Sequence, residues 1–243
     1  MSVKIGSSME EYLEALYTLT QDSKTATTTA ISRRLNIAPP SVTEMLRKLE
    51  NSGYVNYLPY QGVTLTPKGF TLAEKMSRKH RILERFLHDV LGIGTSKVHA
   101  EACEMEHALS DSTERAMCLR LNSPARCPDD EKVIPPCNFP FPSCDECRKW
   151  EGANLEEVGN REVSMTALSS LKEKQEAKIA FIRGDKEALG RLLAMGLTPG
   201  AVITVSQIAP LKGPIEIAVR GSQLALGNDI ACNVFVERLA DER

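Results

Sequence analysis

"APPSVTEMLRKLENSGYV", residues 38–55, decides how the first third of the chain folds. Pro39 and Pro40 suit the first turn of a helix, where a backbone N–H has no intrahelical partner to lose. Val42, Met45, Leu46 and Leu49 then recur at helical spacing as one apolar stripe, and Gly53 supplies the stop. Upstream, "TATTTAISRRLNI" (25–37) predicts a short helix with Ala30, Ile31 and Leu35 turned inward. Before it, "SMEEYLEALYTLTQ" (8–21) predicts another, with Ser8 as N-cap and Met9, Leu13, Leu16, Tyr17 and Leu19 as its stripe. Downstream, "YVNYLPYQGVTLTPKG" (54–69) alternates weakly around Gln61-Gly62 and reads as a two-stranded hairpin. Helix, short helix, turn, helix, hairpin is the order of a winged helix-turn-helix.

Beyond Thr66 two long helical stretches follow, "TPKGFTLAEKMSRKHRILERFLHDVLG" and "TSKVHAEACEMEHALSDSTERAMCLRL", separated by the Gly92–Gly94 break. Residues 123–147 hold six prolines and four cysteines and read as a linker without an apolar core of its own. From about residue 160 short strands take over: "AKIAFI", "AVITVSQIA", "IEIAVRG", "SQLALG" and "NVFVERL", with a helix "KEALGRLLAMG" among them. Their close spacing predicts a small β-barrel. The fold class is therefore α+β, divided as 1–72 (winged helix-turn-helix), 73–122 (helical dimerisation and metal-binding domain), 123–158 (Cys/Pro-rich linker) and 159–243 (small β-barrel).

At 243 residues and a net charge of −2, no global basic field advertises nucleic acid, so any DNA contact must be local. No run of about 18 apolar residues predicts a membrane span, and the N-terminus lacks a secretory h-region. Seven cysteines, four of them clustered, suit metal binding in a reducing cytoplasm better than a disulfide framework.

The chemistry concentrates in "HAEACEMEHALSD" (99–111). His99, Cys103, Glu106 and His107 fall at i, i+4, i+7 and i+8, one face of a continuous helix. Imidazole, thiolate and carboxylate pointing one way form a metal-ligand set. His80 and Glu84 are i, i+4 neighbours on the preceding helix. The bland alternative is a solvated charged face with a core cysteine. An enzyme alternative, a zinc hydrolase, rests on Cys103-x-x-Glu106-His107 as a near miss to H-x-x-E-H, and lacks a catalytic base.

The stretches "MEEYLEALYTL", "PPSVTEMLRKLE", "LTPKG", "KHRILERFL" and "VHAEACEMEHALSD" resemble the diphtheria-toxin-repressor family of metal-dependent transcriptional regulators, which includes manganese transport regulators. "RGDKEALGRLLAMGLTPGAVITV" with "GPIEIAVRGSQLALG" resembles the FeoA-type barrel. The resemblance implies no enzyme but a cytoplasmic homodimeric repressor binding palindromic double-stranded operator DNA and controlling metal homeostasis genes. It implies a primary metal site of Glu11, Cys103, Glu106 and His107, and a second of His80, Glu84 and His99, with Glu14 in reach of either. The iron branch has methionine where Glu11 stands and the manganese branch has glutamate where Cys103 stands. A thiolate beside carboxylates leans toward Fe²⁺, with Mn²⁺ second.

The resemblance also implies base and phosphate contacts at Ala38, Pro40, Ser41, Thr43 and Glu44. Arg47 and Lys48, one turn on, suit phosphate. Thr27, Thr28 and Thr29 offer hydroxyls or N–H groups, and Glu44 suits a cytosine amino group. A protein-binding winged helix is the alternative. Cys127-x9-Cys137-x6-Cys144-x2-Cys147 is a candidate for Zn²⁺ or an iron–sulfur cluster, the latter a redox-sensing alternative. Cys118 and Cys232 read as core residues, and Asp185 and Glu187 as loose candidates for ligands from the barrel.

Overall fold

The computed structural model describes residues 6–22, 25–150, 161, 165–211 and 213–239. The domain boundary expected at 158–159 lies outside them. Contacts divide the chain into two compact units, Met1–His80 with Cys103–Ala108, and Arg81–Ala102 with Leu109–Arg243.

In the first unit, α1 (Ser7–Asp22), α2 (Thr28–Leu35) and α3 (Pro39–Asn51) precede a hairpin of β1 (Val55–Leu58) and β2 (Gly62–Leu65). Leu13, Leu16, Ile31, Val42, Leu46, Leu49 and Val63 are fully buried together. Each such side chain contributes about 1.5–3 kcal/mol of transfer free energy. Helix α1 starts one residue before Ser8, and the Met9 and Glu10 N–H groups bond the Gly6 carbonyl, so Ser8 lies within the first turn rather than at the cap. Thr27 caps α2 by accepting from the Ala30 N–H at 3.1 Å, and Asn36 closes it in the left-handed region. Pro39 opens α3 as expected. The hairpin turn occupies residues 59–61, and Ala26 adds an unanticipated bridge to Val63.

Helix α4 (Pro67–Asp89) is one continuous element. The next stretch is not. Helix α5 (Thr95–Met105) tightens into a 3-10 turn at Glu106–Ala108, and α6 (Asp111–Arg120) starts afresh. Ser110 causes the restart: its side chain accepts from the Thr113 N–H and caps α6. The single helical face expected from His99 to His107 is thus interrupted after Met105.

In the second unit, β3 (Thr166–Ala167), β4 (Glu176–Ile182), β5 (Val202–Ile208), β6 (Ile215–Val219), β7 (Ser222–Leu226) and β8 (Val234–Arg238) form one antiparallel sheet in the order β3-β8-β4-β5-β6-β7. The five long strands and α8 (Lys186–Ala194) match the sequence reading. The closed barrel does not: β3, two residues long, pairs only with β8, β7 pairs only with β6, and the sheet stays open among the described residues. The linker is also better packed than expected. Cys137, Phe139 and Cys144 share a buried cluster with Met165, Phe181 and Phe235. Its proline-rich backbone leaves carbonyls without ladder partners, and guanidinium forks satisfy them. Arg183 donates to the carbonyls of Ala125, Ile134 and Pro135, and Arg161 to those of Phe139 and Phe141. Short α7 (Cys144–Lys149) follows, capped by Ser143; α9 (Asn228–Ala231) precedes β8.

Candidate functional site

Within the first unit, α1 and the 3-10 turn bring carboxylates to His107. Its Nδ1 bonds Glu10 Oε2 at 2.7 Å. That bond fixes the ring and directs Nε2 the other way, toward Glu106 Oε1 at 3.8 Å and Glu11 Oε1 at 4.0 Å. An imidazole held by a carboxylate through one nitrogen while the other faces two further oxygens is the arrangement in which histidine serves as a metal ligand. The remaining Glu106 oxygen bonds His80 Nδ1 at 2.7 Å, with both side chains buried. Glu14, His80 and Glu106 bring ligand atoms within 4.8 Å of one another. Glu10, Met76, Lys79, Glu106 and His107 line a small cleft here. Cys103, half-buried, lies one turn before Glu106 and His107.

The α1 carboxylate closest to His107 is Glu10, which sequence reasoning passed over; Glu11 is about half exposed, at 52%. The signal was the Glu10-Glu11 pair itself, since adjacent residues on a helix end 100° apart and either can be turned to the ligand face.

In the second unit, His99 Nδ1 bonds Glu84 Oε1 at 2.9 Å. The other Glu84 oxygen accepts from the Cys127 thiol at 2.5 Å. Asp129 brings a carboxylate into the same group, its ligand atom within 4.8 Å of those of Glu84 and His99. Burial and the hydrogen bond to Glu84 push the Cys127 thiol up to about 12. The linker therefore delivers two donors, Cys127 and Asp129, beside Glu84 and His99. Neither was grouped with them from sequence, because nothing in local spacing connects residues 43 positions apart. Asp185 is occupied as the cap of α8, accepting from the Ala188 N–H, and Glu187 pairs with Arg191.

On α3, Ala38, Pro40, Ser41, Glu44, Arg47 and Lys48 are exposed opposite the buried Val42, Leu46 and Leu49, and Thr43 is half-buried. Glu44 and Lys48 pair at 2.8 Å, which holds the Glu44 carboxyl below its usual range. Thr27 is exposed and Thr28 half-buried at the start of α2, the Thr27 hydroxyl being used as the cap. Among the described residues no helix is long and apolar enough to cross a membrane.

Comparison with known proteins gives three successive matches. Residues 4–63 match the iron-dependent repressor N-terminal DNA-binding domain, 66–135 the iron-dependent repressor metal-binding and dimerisation domain, and 166–238 the FeoA domain. An uncharacterized HTH-type transcriptional regulator of Methanocaldococcus jannaschii is 45% identical over 105 residues, 43% of this chain and 84% of that protein. The iron-dependent repressor IdeR of Mycobacterium tuberculosis is 30% identical over 234 residues, 95% of this chain and 96% of that protein. Among solved structures, the IdeR of T. acidophilum is 26% identical with a TM-score of 0.48, covering 95% of this chain and 97% of that one. The chain belongs to the iron-dependent repressor family, that of diphtheria toxin repressor and IdeR.

Proposed function

We propose that this protein is a metal-activated transcriptional repressor, a regulator rather than an enzyme, that binds palindromic operator DNA as a homodimer. The observation that carries the reading is His107 Nε2 facing Glu106 and Glu11 while Glu10 holds Nδ1. Glu11, Cys103, Glu106 and His107 form the activating centre. Glu10 orients the imidazole, and His80 anchors the second Glu106 oxygen. A divalent ion bound there would join α1 to the turn after α5 by shared coordination. Each protonated ligand must release its proton first, so affinity rises with pH.

Glu84 and His99 belong to a second centre, for which Cys127 and Asp129 supply further donors. Glu14, expected in reach of either centre, and His80 also group with Glu106. Oxygen, nitrogen and one thiolate per centre fit Fe²⁺ ahead of Mn²⁺. On α3, Ser41, Thr43 and Glu44 face base edges and Arg47 and Lys48 the phosphates. Two such helices must match successive major-groove turns about 34 Å apart.

The test is affinity for duplex DNA, selected from a random pool in anaerobic Fe²⁺, measured with Fe²⁺ and Mn²⁺ in turn. Fe²⁺ should activate the parent at the lower free concentration. Cys103→Glu should retain activation and reverse that order. Activation of the parent by neither metal would overturn the reading.

A further inference from the structure

Between Glu50 and Lys68 the chain carries no charged side chain, and the β1–β2 hairpin lies inside that neutral stretch. Both of its strands are anchored within the first unit. The Tyr57 N–H donates to Glu50 Oε1 at 3.0 Å, and Ala26 and Val63 exchange backbone hydrogen bonds at 3.0 and 2.9 Å. Glu50 stands one helical turn beyond Arg47 and two beyond Glu44, so β1 is pinned to the face of α3 that carries those residues. The hairpin tip is exposed and largely apolar. Leu58, Pro59, Tyr60 and Gln61 all face solvent, and Leu58 stands opposite Gly62, which offers it no cross-strand side chain. Tyr60 is fully exposed and holds φ +66°, a left-handed conformation that glycine or asparagine adopts at less cost. Its ring adds nothing to the core of this unit. Backbone strain that no packing explains is a mark of contact sites.

We propose that Tyr60 enters the minor groove of operator DNA beside the half-site read by α3, packing its ring on the sugar walls with Leu58 behind it. The inference rests on the DNA-reading role proposed for α3, whose Glu44–Arg47–Glu50 face runs on into the hairpin. The chemistry of the tip selects the groove. Phosphates are gripped mainly by cations and hydrogen-bond donors, and this tip has no cation. The minor groove is about 6 Å wide, which admits one aromatic side chain but not two paired strands about 4.8 Å apart with their side chains. Apolar side chains that enter this groove act as wedges and bind by contact. A neutral wedge displaces no condensed counterion, so its share of the affinity is independent of salt.

The experiment uses the full chain in anaerobic Fe²⁺ with the selected duplex, and reads the dissociation constant between about 50 and 200 mM salt. Tyr60→Gly and Tyr60→Asn should keep the parent's circular dichroism, since both residues tolerate positive φ. Each should bind about tenfold more weakly than the parent, the worth of one buried aromatic ring. The slope of log affinity against log salt should be unchanged, and Tyr60→Phe should recover most of the loss. Duplexes with the pairs flanking each half-site set to guanine–cytosine or inosine–cytosine differ only by a minor-groove amino group. The parent should favour the inosine duplex, and Tyr60→Gly should not distinguish the two. A parent that binds no duplex would overturn the reading of α3 and this inference together. A parent that binds while Tyr60→Gly binds equally well would overturn the wing contact alone. So would a shallower salt slope in Tyr60→Gly, a parent indifferent to inosine, or a Tyr60→Gly protein that no longer sediments as the parent does without DNA, the mark of a tip packed on a second copy.

Discussion

Cys127 is nearly inaccessible in the second unit, with its thiol donating to Glu84. Its pKa rises from the usual 9.0 to about 12, through burial first and the carboxylate second. A group whose folded-state pKa is raised gives stability that is whole below the unfolded value and drains away as pH climbs to the folded value. In metal-free protein, the melting-temperature advantage of the parent over Cys127→Ser should therefore hold below pH 9.0 and shrink steadily toward pH 12. An advantage constant across that interval would show that the thiol is not held protonated by its surroundings. The same residue marks a limit of sequence reading. The ligand types near His99 and His107 were legible because helical spacing is local. The partnership of Cys127 and Asp129 with Glu84 was not, because it is made by tertiary folding of a proline-rich segment with no period.

Elements were legible where apolar period and punctuation agreed. In α3 the Pro39 start, the Val42–Leu49 stripe and the Gly53 stop coincide. The stretch 95–121 misled because its apolar pattern runs on while Ser110 and Thr113 quietly start a new helix. Two-residue β3 carries too little pattern to detect. The join between α3 and α4 rests on a contact that sequence hides. Thr66 donates to the Gly53 carbonyl and Lys68 to that of Ser52, and Lys68 also lies over the Tyr54 ring. Backbone then approaches backbone so closely that a Cβ on Gly69 would stand 1.8 Å from the Tyr54 carbonyl oxygen. Gly69→Ala must shift α4 against the hairpin and should cost about 1–3 kcal/mol, the usual range for overpacking. Urea denaturation measures this, and a variant as stable as its parent would contradict the close approach.

At the scale of the whole molecule, the proposed function makes DNA reading conditional on metal occupancy. Glu10 on α1, the helix whose apolar face packs with that of α2, lines the same cleft as His107. Tying the two together changes the fraction of molecules competent to bind. If competence rises from 1% to 99%, apparent affinity rises about a hundredfold, which requires a metal preference of about 5.5 kcal/mol for the competent form. The decisive measurement is the apparent dissociation constant for the selected duplex as free Fe²⁺ is raised anaerobically, in the parent and in His107→Ala, with circular dichroism confirming that both are folded. Affinity should rise by about that size in the parent and not at all in His107→Ala. A His107→Ala protein whose affinity climbs with Fe²⁺ as the parent's does would contradict the proposed function.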